Sequence, residues 1–306
     1  MLEALLERFR RGDRVALARL LTLLSRGEAV QEITARIEPV AAPSCVVAIT
    51  GSGGVGKSTL IGKLIEHIRG QGQTVAVLAC DPESPLTGGA LLGDRFRMPN
   101  RPDDPGVFIR SLAAASGEGP VARYLPEMVR LLQAFGFDFV LVETVGAGQG
   151  DTAIRSLADV VVLLLQPETG DDLQWEKAGL LEVADIVAIH KADLPQAEAM
   201  ETQVRNTLQL DGNHAVPVLR VSAKTGDGIA ALWQEIEKAP GRRSFADTDG
   251  RELLRAAQQQ LAQRFAAETA RQSDPVRDLI ARWQQGNLPD SQAAAALLQL
   301  LARSNP

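Results

Sequence analysis

Cys45-Val46-Val47-Ala48-Ile49-Thr50-Gly51-Ser52-Gly53-Gly54-Val55-Gly56-Lys57-Ser58-Thr59-Leu60-Ile61-Gly62-Lys63-Leu64-Ile65 decides the fold of this chain. Residues 45–50 form a short apolar, β-branched run of the kind that makes a buried strand. Residues 51–58 fit the pattern Gly, four residues, then Gly-Lys-Ser, and residues 59–65 begin a helix. Strand, glycine loop and helix together make an anion site, because glycines let backbone N–H groups wrap a phosphate and the helix start adds its positive dipole end. Gly51, Ser52, Gly53, Gly54, Val55, Gly56, Lys57, Ser58 and Thr59 are therefore candidate nucleotide-binding residues. Lys57 is expected to reach the β- and γ-phosphates, and the Ser58 hydroxyl to ligate Mg²⁺. A glycine-rich turn that binds nothing is the competing reading, and the Lys-Ser register argues against it.

Outward from this loop, short apolar runs alternate with amphipathic stretches from about 44 to 240. Candidate strands cover 45–50, 75–80, 107–110, 138–143, 160–165, 186–190 and 217–221. Strands alternating with helices imply an α/β fold with a doubly wound, mostly parallel sheet, which binds ligands at the C-terminal ends of its strands. Residues 1–43 read as an N-terminal helical segment, with Leu2, Leu5, Leu6 and Phe9 on one face and a second helix from Val15 to Leu24. After Ala239-Pro240-Gly241 the composition turns to Ala, Gln, Leu and Arg, so 241–306 reads as a C-terminal helical extension of the domain spanning 44–240.

Composition sets further bounds. The 306 residues are 45% hydrophobic and 23% charged, which is ordinary globular usage. A net charge of -6 and a pI near 5.3 argue against nucleic acid or an anionic membrane as the main partner. Cys45 and Cys80 lie in apolar runs and read as buried thiols in a reducing compartment. The N-terminus is an amphipathic helix without a signal-peptide core, and no apolar run reaches the roughly 18–20 residues of a membrane span. A cytoplasmic protein is expected.

Three further segments bear on which nucleotide binds. Strand 186–190 runs into His190-Lys191-Ala192-Asp193, close to the Asn-Lys-x-Asp pattern that reads guanine. There the Asp carboxylate accepts hydrogen bonds from guanine N1 and N2 groups, a pair that adenine does not offer. The lysine stem of that pattern lies along the base, which makes Lys191 a candidate contact. His190 replaces the bracing Asn, and the alternative is a strand-end histidine with no nucleotide role. Strand 217–221 runs into Ser222-Ala223-Lys224, similar to the loop whose backbone N–H faces the guanine O6. Strand 138–143 ends in Val142-Glu143-Thr144-Val145-Gly146, where an acid facing Mg²⁺ and a glycine N–H facing the γ-phosphate are expected. Asp81, after strand 75–80, and Asp94 are further carboxylates for a divalent cation. A turn before Pro82 and a helix cap are their competing roles. Gln149 is the candidate for orienting an attacking water.

These segments resemble the MeaB/ArgK/MMAA family of P-loop GTPases. The resemblance is carried by Asp81-Pro82-Glu83-Ser84-Pro85-Leu86-Thr87-Gly88-Gly89 continuing to Arg97-Met98, by Glu143-Thr144-Val145-Gly146-Ala147-Gly148-Gln149, and by Gly170-Asp171-Asp172-Leu173-Gln174 with Lys177-Ala178-Gly179. It covers about residues 10–305. It implies a slow GTPase that binds GTP and GDP with Mg²⁺. It also implies a homodimer, built partly through the C-terminal helices, that acts as chaperone to an adenosylcobalamin-dependent acyl-CoA mutase, typically methylmalonyl-CoA mutase. Such a chaperone gates cofactor loading and protects or reactivates the mutase. By position, Lys57, Glu143, Asp81, Asp94 and Gln149 are the implied catalytic set, and Ser58, Asp81, Asp94 and Glu143 the implied metal set. Gly146, Lys191, Asp193, Ser222, Ala223 and Lys224 complete the nucleotide contacts. Segments 82–98, 144–155 and 168–178 resemble switches. Trp175-Glu176 and Gly150-Asp151 depart from the family pattern within them and leave open which mutase is served.

Four other readings fit the residues to different degrees. An ArgK-type kinase or ATPase linked to transport conflicts with the guanine-type loops. A nickel or cobalt metallochaperone needs Cys/His clusters, whereas His67, His190 and His214 are far apart in the sequence, and His67, mid-helix among Glu66 and Arg69, reads as solvated. A MinD-like ATPase needs a lysine where Ser52 stands. A nucleotide-binding scaffold without turnover stays open.

Overall fold

In a computed structural model the residues described are 2–38, 44–82, 104–114, 124–144, 154, 155, 157–167, 180–210, 215–239, 257, 261, 262, 264–266, 268, 269 and 274–303. The chain divides into two compact units, Met1–Arg242 and Arg243–Pro306.

The first unit is built on seven parallel strands. They are β1 (Cys45–Thr50), β2 (Val75–Pro82), β3 (Val107–Ala114), β4 (Phe139–Glu143), β5 (Val160–Leu165), β6 (Ile186–Ile189) and β7 (Val218–Arg220). Their order is β3-β2-β4-β1-β5-β6-β7. All seven expected strands form. β2 and β3 run longer than their apolar cores, to Pro82 and Ala114, because they keep pairing with each other out to Pro82 opposite Ala114. Asp81 thus lies within a strand and not in a turn.

The sheet is covered on both faces, which is why its central strands are continuous apolar runs. Alternation within β1 shows the division. Val46 and Ala48 join Ala76, Leu78, Val140 and Val142 in one core, and Val47 and Ile49 join Val75, Val77 and Leu141 in another. The first core is roofed by α1 (Leu2–Arg10), α2 (Arg14–Ser25) and α5 (Leu125–Phe135), the second by α4 (Lys57–Gly70) and α8 (Ile229–Lys238). A short α3 (Val30–Thr34) contributes Ile33 to the first, and α6 (Leu180–Val183) and α7 (Ala197–Leu210) pack with β5, β6 and β7 in a third cluster.

The N-terminal helices therefore share a core with the sheet. Asp13 starts α2 by accepting hydrogen bonds from the Val15 and Ala16 amides at 2.8 and 3.2 Å. Arg14 holds α2 to the start of β3 by donating to the Pro105 carbonyl at 2.6 Å and to that of Val107. His67 on α4, expected to be solvated, is instead half-buried, with its ring 6.2 Å from that of Trp233.

The N-terminal edge of the sheet is closed by three aspartates, each placed just before a strand. Asp138 accepts from the Thr74 amide at 2.7 Å, Asp159 from Val46 at 2.8 Å, and Asp185 from Val161 at 2.8 Å. Each fixes the start of a neighbouring strand. Asp185 also pairs with Arg155 at 2.7 Å, and burial pushes its carboxyl above the usual range.

In the second unit, α9 (Asp274–Gln284) and α10 (Asp290–Arg303) form a helical hairpin. Trp283 donates to Asp290 at 2.8 Å across its turn, and Val276, Leu279 and Leu301 are buried.

Among the described residues Trp233 is the largest fully buried side chain, packed edge-on against Phe139 at 4.7 Å between ring centroids. Trp233→Ala is expected to lower the unfolding free energy by about 3–5 kcal/mol in urea denaturation, through lost burial and the cavity left between α4, α8 and the sheet.

Candidate functional site

β1 lies between β4 and β5, so the strands that follow it divide, β2 to β4 on one side and β5 to β7 on the other. The crevice at the C-terminal end of that central strand is where such a sheet takes a ligand. The glycine loop leaves β1 at this point and α4 begins at Lys57.

Two glycines are required by local geometry. Gly51 has φ +144°, and a Cβ there would lie 2.3 Å from the Leu164 carbonyl oxygen on β5. Gly56 caps α4 with φ +100°, and a Cβ there would lie 2.5 Å from Cε1 of His190. The loop is thus pressed against β5 on one side and the end of β6 on the other. Lys57 is buried and its ammonium donates to the Gly51 carbonyl at 2.8 Å and the Ser52 carbonyl at 3.0 Å. The cation is held at the mouth of the loop, where an incoming phosphate would meet it.

The sheet register places the acid. Glu143 pairs with Ile49 on β1 and with Ala79 on β2, level with the start of the loop. The Ser58 hydroxyl donates to Glu143 Oε1 at 2.7 Å, both residues being buried. The next residue continues the tie: the Thr144 hydroxyl donates to Thr50 Oγ1 at 3.0 Å, and the Thr144 amide to the Ile49 carbonyl at 3.2 Å. A hydroxyl and a carboxylate side by side are hard oxygen donors, a set that fits Mg²⁺. Asp81 lies two residues beyond Ala79 on β2, so its backbone is at the same edge of the sheet.

A second cluster forms where β6 and β7 end. The Ser222 hydroxyl donates to Asp193 Oδ1 at 2.8 Å, and Lys224 Nζ lies 3.7 Å from Oδ2. The Ser222 hydrogen bond, the loop's own backbone and the lysine hold the Asp193 carboxyl below its ordinary range. The carboxylate is thus an ionised acceptor at neutral pH. Lys191 takes a left-handed conformation, φ +56°, and the Ala192 amide donates to the Val221 carbonyl at 3.1 Å. These bonds lock the 190–193 turn onto the 222–227 turn. His190 joins this cluster to the glycine loop: its Nδ1 is 2.8 Å from the Val55 carbonyl, and the Ala223 amide lies 3.4 Å from Nε2. Burial pushes this imidazole below its usual range.

The structure therefore brings together the 51–59 loop, Glu143, Lys191, Asp193, Ser222, Ala223 and Lys224. Asp94, Gly146, Gln149, Trp175, Lys177 and most of the three expected switch segments lie outside the described residues. Sequence reasoning missed Thr50 and Thr144 as a buried link, and it left the contacts of His190 open. The Thr-Gly and Glu-Thr junctions at two strand ends were the available signal for the first.

A parallel sheet with this loop and an acid on the neighbouring strand defines a P-loop nucleotide-binding protein. Residues 17–276 match the family described as "Methylmalonyl Co-A mutase-associated GTPase MeaB", and the chain belongs to that family. It is 43% identical over 258 residues to a putative GTPase of Pyrococcus abyssi, covering 82% of this chain and 79% of that one. It is 38% identical over 248 residues to a fused isobutyryl-CoA mutase of Cupriavidus metallidurans, covering 77% of this chain and 23% of that one. Among solved structures, one described as a LAO/AO transport system kinase superposes with a TM-score of 0.65 at 24% identity. The match covers 98% of this chain and 97% of that one, and it shows the common fold. Among the described residues no helix is long and apolar enough to cross a membrane.

Gly51→Ala is expected to lower the unfolding free energy by about 1–3 kcal/mol, since backbone must move to admit the methyl. Gly53→Ala, with open space around the built Cβ and an ordinary φ, is expected to stay within about 0.5 kcal/mol of the parent. Paired urea titrations would separate the two, and equal losses would contradict the close approach of Gly51 to β5.

Proposed function

We propose that this protein is a Mg²⁺-dependent GTPase that acts as chaperone to an adenosylcobalamin-dependent acyl-CoA mutase. In this reading methylmalonyl-CoA mutase is the partner, a homodimer is the working form, and nucleotide state gates cofactor loading and reactivation. The observation that carries the nucleotide part is Asp193, held ionised by Ser222 in a turn tied back to the phosphate loop. Family membership supports the hydrolytic reading. A related chain segment within a fused isobutyryl-CoA mutase supports the mutase partner.

The reaction is GTP + H₂O → GDP + phosphate. Asp193 accepts the guanine N1 and N2 hydrogens, and Ser222 keeps its carboxylate turned toward them. The Ala223 amide meets the O6 edge. Backbone N–H groups of residues 53–58 and the Lys57 ammonium hold the β- and γ-phosphates and balance the charge that develops as the γ-phosphoryl leaves. Ser58 and Glu143 would hold Mg²⁺, which supplies further charge neutralisation when bound; Asp81 and Asp94 extend that acidic set. Gln149 is assigned to orienting the water. None of these residues is a strong base, so slow intrinsic turnover is expected, with acceleration by the partner.

Calorimetry with Mg²⁺ tests the base-reading step. Wild type is expected to bind GDP and GTP at least about 100-fold tighter than ATP, because adenine leaves the Asp193 acceptor unpaired. Asp193→Asn is expected to lose about 100-fold toward GTP and to gain affinity for XTP, since an amide can donate to the xanthine C2 carbonyl. Equal binding of ATP and GTP by the wild type would contradict guanine recognition.

A further inference from the structure

His190 is 5% exposed and sits where the phosphate loop, the end of β5 and the Ser222-Ala223-Lys224 turn meet. Its own amide donates to the Leu165 carbonyl at 2.7 Å, which fixes its backbone to β5. The ring contacts are complementary in kind. Nδ1 faces the Val55 carbonyl at 2.8 Å, a group that only accepts, so Nδ1 carries the proton. Nε2 faces the Ala223 amide at 3.4 Å, a group that only donates, so Nε2 is bare. The side of the ring at Cε1 fills the space a Cβ on Gly56 would need.

We infer that His190 is a positioning residue for nucleotide binding: as the neutral Nδ1–H tautomer it ties the phosphate loop at Val55 to the base loop at Ala223 and so fixes the separation of the two halves of the site. The inference rests on the guanine-nucleotide reading above and deepens it, since the sequence pattern alone does not decide between a bracing residue and a strand-end histidine with no nucleotide role. The contact at Ala223 is at the long end of hydrogen bonding, so Nε2 orients that amide while leaving it available to a base carbonyl oxygen. Protonating Nε2 would set two N–H groups against each other and loosen this link. The charged groups acting on the ring are Lys191, which opposes its protonation, and Asp193, which favours it, both in its own turn. The phosphate loop and the β7 turn present it with backbone groups; Lys57 and Lys224 are the nearest charged residues along those two segments.

The test compares GDP binding to the full chain by calorimetry in wild type, His190→Asn and His190→Ala, at pH 8 and pH 5, with ATP titrated in parallel. An asparagine amide can donate to Val55, so His190→Asn is expected within about threefold of wild type at pH 8. His190→Ala loses both links and is expected to bind about tenfold more weakly. Wild type is expected to weaken more on acidification than His190→Asn, which keeps every other titrating group. Ring ¹⁵N shifts at neutral pH are expected to show a protonated Nδ1 and a bare Nε2 for His190, a readout independent of nucleotide. Wild-type affinity in His190→Ala, or an asparagine variant as weak as the alanine one, would overturn the inference. Should the alanine variant not fold, the pH contrast between wild type and His190→Asn and the tautomer decide it. A chain that binds ATP as well as GDP would contradict the guanine reading alone, because the same variant series read with ATP still tests the tie.

Discussion

β1 is hydrogen-bonded on both sides, to β4 along residues 45–49 and to β5 along residues 47–50. Everything at the site depends on this double pairing. One neighbour brings Glu143 level with Ile49, so the acid meets the Ser58 hydroxyl at the first turn of α4. The other neighbour brings the Leu164 carbonyl against Gly51, which bends the chain out of the sheet with no room for a side chain. A loop that must hold a charged phosphate is thereby built on the central strand of the sheet, packed on both faces, where backbone motion is restricted.

Carboxylates divide between the two edges of the same sheet. At the N-terminal edge Asp138, Asp159 and Asp185 each accept a hydrogen bond from the amide of a neighbouring strand or its lead-in residue and hold strand starts in place. At the C-terminal edge Glu143 and Asp193 accept from serine hydroxyls and face the loops that bind. A hydroxyl partner can swing away to serve a ligand at small cost, whereas a strand amide cannot. The edge on which an acid sits therefore decides whether it belongs to the scaffold or to the site.

This division explains what could be read in the residues. The inner strands are legible because strands buried on both faces must be apolar without interruption; the edge strands β3 and β7 show only short apolar runs and are placed by their alternation with helices. The phosphate loop is legible because its glycines answer steric demands that no other residue meets. Asp193 and Ser222 are legible from spacing, since each follows a strand of the expected kind. The tie made by His190 is not, because a histidine at a strand end looks the same whether it faces solvent or fills the space beside Gly56. The extra length of β2 and β3 is also hidden: Asp81, Pro82 and Ala114 have weak strand preference, and only mutual pairing keeps them extended. The half-buried place of His67 escaped notice for a similar reason, since its contact with Trp233 joins helices far apart in sequence.

Phosphate release from GTP and from ATP, measured for the full chain with Mg²⁺, alone and with the adenosylcobalamin-dependent methylmalonyl-CoA mutase of the same source, tests the central claim most directly. The account predicts slow release from GTP, little from ATP, and a several-fold rise with the mutase present. Release from ATP matching that from GTP, with neither responding to the mutase, would contradict it.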